Sequence, residues 1–175
     1  MEPLTELRRT APETVRQQVT ALYQANALGL VRLAVLMVGD QPTAEDVVQE
    51  AFLGLYRRWP ALKDPERALA YARSSVLNGC RMALRARFRR DKISLAVPDD
   101  IESAEATALL GEASREVIAA LRRLPARQRE AVVLRYYLDM TEIQAAQAMR
   151  VSRGTVKSAT SRGLAALARL LKEEQ

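Results

Sequence analysis

Apolar residues recur along the chain at three- and four-residue intervals, and no stretch alternates as a half-buried strand would. From Gln17 to Val38 the apolar positions include Val19, Leu22, Leu30, Leu33 and Met37, which predicts a helix. Gly39-Asp40-Gln41-Pro42 reads as a turn. Thr43 then stands as N-cap before Ala44-Glu45-Asp46, acids that suit the positive end of a helix dipole. That helix runs to Trp59 and stops at Pro60. Val48, Ala51, Phe52, Leu55 and Trp59 face inward, and Asp46, Gln49, Glu50, Leu53 and Arg57 lie opposite. Trp59–Glu66 is a loop, with Asp64 a candidate N-cap and Pro65 at the first position of a long helix reaching about Arg90. The apolar face of that helix runs from Leu69 through Val76 and Cys80 to Phe88, while Arg81, Arg85 and Arg89 stand in one row.

Residues 91–107 are acidic and irregular around Pro98-Asp99-Asp100. A helix resumes near Ser103 or Glu105 and continues to Leu124; Pro125 opens another, through Leu138. Asp139-Met140-Thr141 is a turn, with Thr141 capping a short helix over 142–149. Arg150-Val151 is a tight turn, and Ser152 caps a last helix to about Lys172. The expected fold is all-α: two small helical domains joined by an acidic linker, with a helix-turn-helix at the C-terminal end. The expected boundaries are 15–92, 93–115 and 116–175.

Composition narrows the chemistry. Among 175 residues there is no His and one Cys, Cys80. A His-dependent catalytic triad or Cys–His pair cannot be built, the usual zinc ligands are missing, and a disulfide framework needs a second cysteine. No enzyme constellation is recognisable among the remaining Asp, Glu, Lys and Ser; no metal and no cofactor are expected. The opening residues, MEPLTELRRTAPE, lack the apolar run of a signal peptide. The apolar stretch from Ala27 to Val38, broken by Arg32, is too short to cross a bilayer. A cytoplasmic protein without membrane insertion is the expectation.

The net charge of +6 is unevenly spread. Residues 57–92 hold 11 Lys and Arg against 3 Asp and Glu, and residues 117–175 hold 11 against 5. Between them, residues 93–116 hold 1 against 6. Dense basic blocks suit a polyanion, and a solvated helix surface is the plain alternative. In Thr141–Ala168 the start of the last helix offers Ser152, Arg153, Thr155, Lys157, Ser158 and Arg162. These are short hydroxyl and basic side chains able to reach base edges and phosphates in a major groove. Ala146 sits where the two helices approach, and Val151 and Val156 fix the turn. In the first basic block, Lys63 and the arginine row suit backbone contact, Asn78 can pair with a base, and Tyr71 can stack on one; Trp59, in register with the apolar stripe, reads as core.

Three blocks, AEDVVQEAFLGLYRRW, YARSSVLNGCRMALRARFRR and LPARQREAVVLRYYLDMTEIQAAQAMRVSRGTVKSATSRGLAAL, together resemble an extracytoplasmic-function (group 4) sigma factor of bacterial RNA polymerase, of the actinobacterial sigma-E-like type. The likeness covers about residues 17–92 and 120–170. It implies that Asp46, Gln49, Glu50 and Leu53 contact the clamp helices of core RNA polymerase. It implies that Lys63, Tyr71, Asn78, Arg81 and Arg85 serve melting and capture of the non-template strand at the minus-ten element. It implies that Ser152, Arg153, Thr155, Lys157, Ser158 and Arg162 read the minus-thirty-five duplex. The linker would thread toward the active-site channel and RNA exit path, and the flap of the polymerase and an anti-sigma factor are further implied partners.

Four positions depart from the family. Arg150 stands where Gly is usual, at a cost of about 1 kcal/mol if left-handed. Met82 replaces an Asp or Asn. Ala159 replaces an Arg, removing one phosphate contact. Ala145 replaces a larger apolar residue, which loosens the penultimate helix. Free in solution, the chain is expected as a monomer closed on itself, the acidic linker shielding a basic surface. A stand-alone helix-turn-helix regulator, or a helical adaptor that never touches DNA, are the rival readings.

Overall fold

The computed structural model describes residues 4–62, 64–93 and 114–173. Among them are seven α-helices and no strand: α1 Leu4–Val38, α2 Gln41–Arg58, α3 Ala68–Ile93, α4 Ser114–Arg123, α5 Ala126–Val132, α6 Glu142–Met149 and α7 Arg153–Glu173. The all-α expectation holds, with the helix-turn-helix formed by α6 and α7. The expected linker and the helix start near Ser103 or Glu105 lie outside the described residues, as does Lys63.

The first lobe is an antiparallel arrangement of α1, α2 and α3 around Leu33, Met37, Val48, Leu55, Val76 and Cys80, each at most 1% exposed. The predicted helix at Gln17 starts earlier, at Leu4. Its stretch Thr14–Val38, 25 residues with an 18-residue window of mean hydropathy 1.5, is by length and composition alone enough to cross a membrane. The helix is longer than the apolar stretch Ala27–Val38 because it extends N-terminally from Ala27 to Leu4. The C-terminal end of α1 is nonetheless core: Leu33, Ala34 and Val35 are 0% exposed.

The cap of α2 is Asp40, not Thr43. Helix α2 begins three residues before the predicted start, with Pro42 in its first turn, where a missing N–H costs nothing. The Asp40 carboxylate accepts from Thr43 N at 2.9 Å. Gly39 makes the turn at φ 89°, and a Cβ there would meet the Arg122 side chain at 2.7 Å. This glycine therefore serves both a left-handed backbone and a close approach from the second lobe.

Asp64 caps the 3-10 turn Pro65–Arg67, accepting from Glu66 N at 3.0 Å, before α3 takes over. Trp59 packs against the core. Phe88 does not: placed on the apolar face by its spacing, it is 62% exposed, because α3 outruns the helices it packs on.

In the second lobe α4, α5 and α7 enclose Leu121, Ala131, Leu134, Val156 and Leu170. Gly163 lets α7 approach α5, since a Cβ there would meet Val132 Cγ2 at 2.7 Å. After Val132 the helix widens into a π turn over Val133–Tyr137, with Leu138 N bonded to Val133 O at 3.2 Å. The turn leaves Tyr136 64% and Tyr137 41% exposed.

The two lobes share α1. Its C-terminal part packs on α2 and α3 on one side and on α4, the start of α5 and the π turn on the other. The lobes thus contact each other directly, while the shielding expected of the linker lies outside the described residues.

Candidate nucleic-acid interface

The helix-turn-helix is built by two caps and one strained turn. Thr141 Oγ1 accepts from Gln144 N at 3.2 Å, and Gln144 Oε1 accepts from Thr141 N at 2.8 Å, a reciprocal capping box. Helix α6 ends at Arg150 in a left-handed conformation, φ 54° and ψ 47°. Ser152 then caps α7, its Oγ accepting from Thr155 N at 3.1 Å. Val156, Ala159, Gly163 and Leu170 form the buried stripe of α7 and hold it against α5 and α6.

That stripe determines what is left outside. Ser152, Arg153, Lys157, Ser158 and Arg162 are exposed and Thr155 is half-buried. Gly154 and Ser161, which the sequence reading passed over, lie on the same exposed surface. Ser158 Oγ donates to Thr155 O at 3.1 Å, and Arg162 Nε donates to Ser158 O at 3.2 Å, so the hydroxyls and this guanidinium are ordered along the helix. Arg153 is tethered to Glu142 of α6 at 3.5 Å. The arrangement offers hydrogen-bond donors and positive charge on one exposed helix start, the geometry by which a recognition helix enters a major groove. Ala159 is 4% exposed. In this chain the position faces the buried stripe of α7 and not its outer surface. Ala145 is wholly buried at 0%, and Ala146 is 8% exposed at the approach of α6 and α7.

On the first lobe Asn78 is exposed and Tyr71 half-buried, with the Arg58 guanidinium 5.8 Å from the Tyr71 ring centroid. Arg85 is exposed, and so is Met82, at 68%. Arg81 differs from the rest of its row. Its Nη1 donates to Asn78 Oδ1 at 2.7 Å, its Nη2 to Ala148 O of the second lobe at 2.6 Å, and its Nε to Glu130 Oε1 at 2.8 Å; Nη2 also bonds Glu130. Arg129, beside Glu130, reaches the other way: Nη1 donates to Met37 O at 2.8 Å, at the carbonyl-rich C-terminal end of α1. Burial first, then Arg122 and Arg87, lowers the Arg129 pKa to about 10, so it remains a cation at neutral pH.

Neither Arg129 nor Glu130 is singled out by the sequence pattern. They are 7% and 8% exposed.

On the far side of the first lobe Asp46, Gln49 and Glu50 are exposed and Leu53 is 49% exposed. Glu50 pairs with Arg57 at 3.6 Å in water, a contact of little energetic weight. Gln49 and Leu53 border a groove of about 340 Å³ that also takes in Arg16, Tyr23 and Tyr56. Tyr23 packs edge-on against Phe52 at 5.0 Å. The two tyrosines, Tyr23 at 37% and Tyr56 at 41% exposed, widen the strip beyond the four residues read from sequence.

Residues 22–90 match the family described as sigma-70 region 2, and residues 114–167 match sigma-70 region 4. The chain is 34% identical over 139 residues to the RNA polymerase sigma-E factor of Streptomyces coelicolor, covering 79% of this chain and 77% of that one. It is 31% identical over 166 residues to the ECF RNA polymerase sigma factor SigL of Mycobacterium tuberculosis, covering 87% and 88%. The sigma factor RpoE of Bartonella quintana, crystallised with the anti-sigma factor NepR, shares the fold with a TM-score of 0.64 over 89% of this chain and 99% of that one, at 23% identity. CnrH, solved with the cytosolic domain of CnrY, shares it with a TM-score of 0.60 over 94% and 98%, at 20% identity. Two matched regions in the right order, on a fold that places an exposed polar helix start on one lobe and an acidic-apolar strip on the other, make the chain a member of the extracytoplasmic-function group of the sigma-70 family, the RNA polymerase sigma factors that direct promoter recognition.

Proposed function

We propose that residues 15–92 bind the polymerase clamp and open the minus-ten element, that residues 116–175 read the minus-thirty-five duplex, and that the acidic segment 93–115 connects them. The observation that carries this reading is the start of α7. A capped helix buries Val156, Ala159 and Gly163 on one side and leaves Arg153, Lys157, Ser158 and Arg162 on the other. Arg153, Lys157 and Arg162 neutralise phosphates, while Ser152, Thr155 and Ser158 approach base edges. Lys63, Tyr71, Asn78, Arg81 and Arg85 hold the displaced strand, whose unstacked base costs a few kcal/mol to extrude. Asp46, Gln49, Glu50 and Leu53 dock on the clamp, the tyrosine-bordered groove beside them receiving an apolar side chain of the polymerase. The chain acts without a catalytic centre of its own, as a cytoplasmic monomer when free.

The closed arrangement is the resting form. Arg81 is engaged by Glu130 and Ala148 O, so it reaches DNA only after the lobes part. Core polymerase supplies that separation, holding each lobe over its own promoter element and raising the effective concentration of one when the other is bound. An anti-sigma factor, the class of partner crystallised with RpoE of Bartonella quintana, is the partner that would keep the polymerase-binding surfaces covered.

A gel shift on promoter DNA, run with and without purified core enzyme, tests the reading. Tight, specific binding is expected only with core enzyme. Tight operator binding by the chain alone supports the stand-alone regulator instead.

A further inference from the structure

The lobes enclose a cleft of about 680 Å³. The C-terminal part of α3 brings Arg81, Arg85, Arg87 and Arg89 to one wall, and the start of α5 brings Arg127 and Arg129 to the other. Glu130 is the one carboxylate lining it among the described residues, and Arg81 already occupies that carboxylate. Six arginines therefore line the cleft with a single acid among them.

A second observation concerns one of these arginines. Arg129 is 7% exposed, and its Nε is buried with no hydrogen-bond partner. Its bond to Met37 O engages Nη1 only. A buried cationic N–H without an acceptor is costly, and proteins rarely leave one so unless something else supplies the acceptor.

We propose that this cleft is a binding site for a compact multivalent anion of the polyphosphate class, chelated by arginines from both lobes. Planar guanidinium forks match phosphate oxygens two at a time, and the cleft has the size of ordinary small-molecule sites. Because the two walls belong to different lobes, a bound anion holds the closed form and competes with strand capture by Arg81 and Arg85. The site rests on the reading of the closed form as the resting state.

The test is calorimetric titration of the full chain at fixed ionic strength, with sodium tripolyphosphate in one arm and ATP in the other. Saturable one-to-one binding is expected. Equal affinity in both arms assigns recognition to the phosphate chain, and tighter ATP binding adds a base. The double variant Arg87→Gln, Arg127→Gln should bind about tenfold more weakly or worse, while Arg153→Gln, Lys157→Gln should change affinity less than about twofold. Circular dichroism checks that both fold. Equal weakening by the two pairs means diffuse charge and overturns the site. So does binding that emerges only when Asp99 and Asp100 are replaced by Asn, which gives the cleft to the chain's own carboxylates. Lobe separation is read in parallel by energy transfer between dyes. Closed lobes without saturable binding overturn the site alone; open lobes without it overturn the closed resting form as well.

Discussion

Arg81 and Glu130, 49 positions apart and on opposite lobes, form an ion pair whose side chains are 19% and 10% exposed. The pair places a minus-ten candidate in the grip of the lobe proposed to read the minus-thirty-five element. Partial burial makes the contact stronger than a surface bridge and makes either partner costly to leave alone.

Glu130→Ala should therefore open the chain. With dyes at the exposed positions of Glu45 and Arg169, energy transfer should fall relative to the unsubstituted chain, and the exchange Arg81→Glu with Glu130→Arg should restore much of it. Unchanged transfer in Glu130→Ala would show that the pair does not hold the lobes together.

Arg150 pays a backbone penalty at φ 54° that glycine would not. Arg150→Gly should stabilise the protein by about 1 kcal/mol, raising Tm by about 2–4 °C in a calorimetric scan. A lower Tm would mean that the Arg150 side chain holds the turn by contacts worth more than the strain.

Lys157 is exposed on the outer surface of α7. Lys157→Ala should weaken promoter binding by the polymerase complex across all sequences and reduce the slope of log K against log salt by about 1. A changed base preference with an unchanged slope would place Lys157 on a base edge and not on a phosphate.

Cys80 is wholly buried, and its thiol is pushed up to about 12 by that burial, with the Glu130 carboxylate adding to the shift and Arg81 opposing it. A folded pKa above the unfolded one means that its contribution to stability is complete below about pH 8.5 and is lost as pH rises toward 12. At pH 8 the native thiol should react with an aromatic disulfide about a hundredfold more slowly than in urea. Comparable rates would place Cys80 at the surface in solution.

Much of this architecture is legible in the residues because caps and periodicity are local. Thr141 and Ser152 cap the helices their spacing marks. Gly39 takes the positive φ that a turn there requires. The outer surface of α7 follows directly from Val156, Ala159 and Gly163 lying at helical intervals. The shift from Thr43 to Asp40 arises because Gln41-Pro42, read as turn, is equally a first helical turn. Phe88 shows the limit of periodicity, which gives a face but not how far the neighbouring helix extends. Arg129 and Glu130 show a deeper limit. Their burial comes from a lobe remote in sequence, and no pattern within α5 distinguishes a charge facing solvent from one facing Met37 or Arg81.

The most direct measurement is run-off transcription with purified core RNA polymerase on a pooled genomic template. The account predicts transcripts from discrete start sites that require the chain, disappear with Arg153→Ala combined with Lys157→Ala, and are strongly reduced by Asp46→Ala through loss of core binding. Absence of chain-dependent start sites on every template, or the same start sites from the Arg153 and Lys157 double variant, would contradict it.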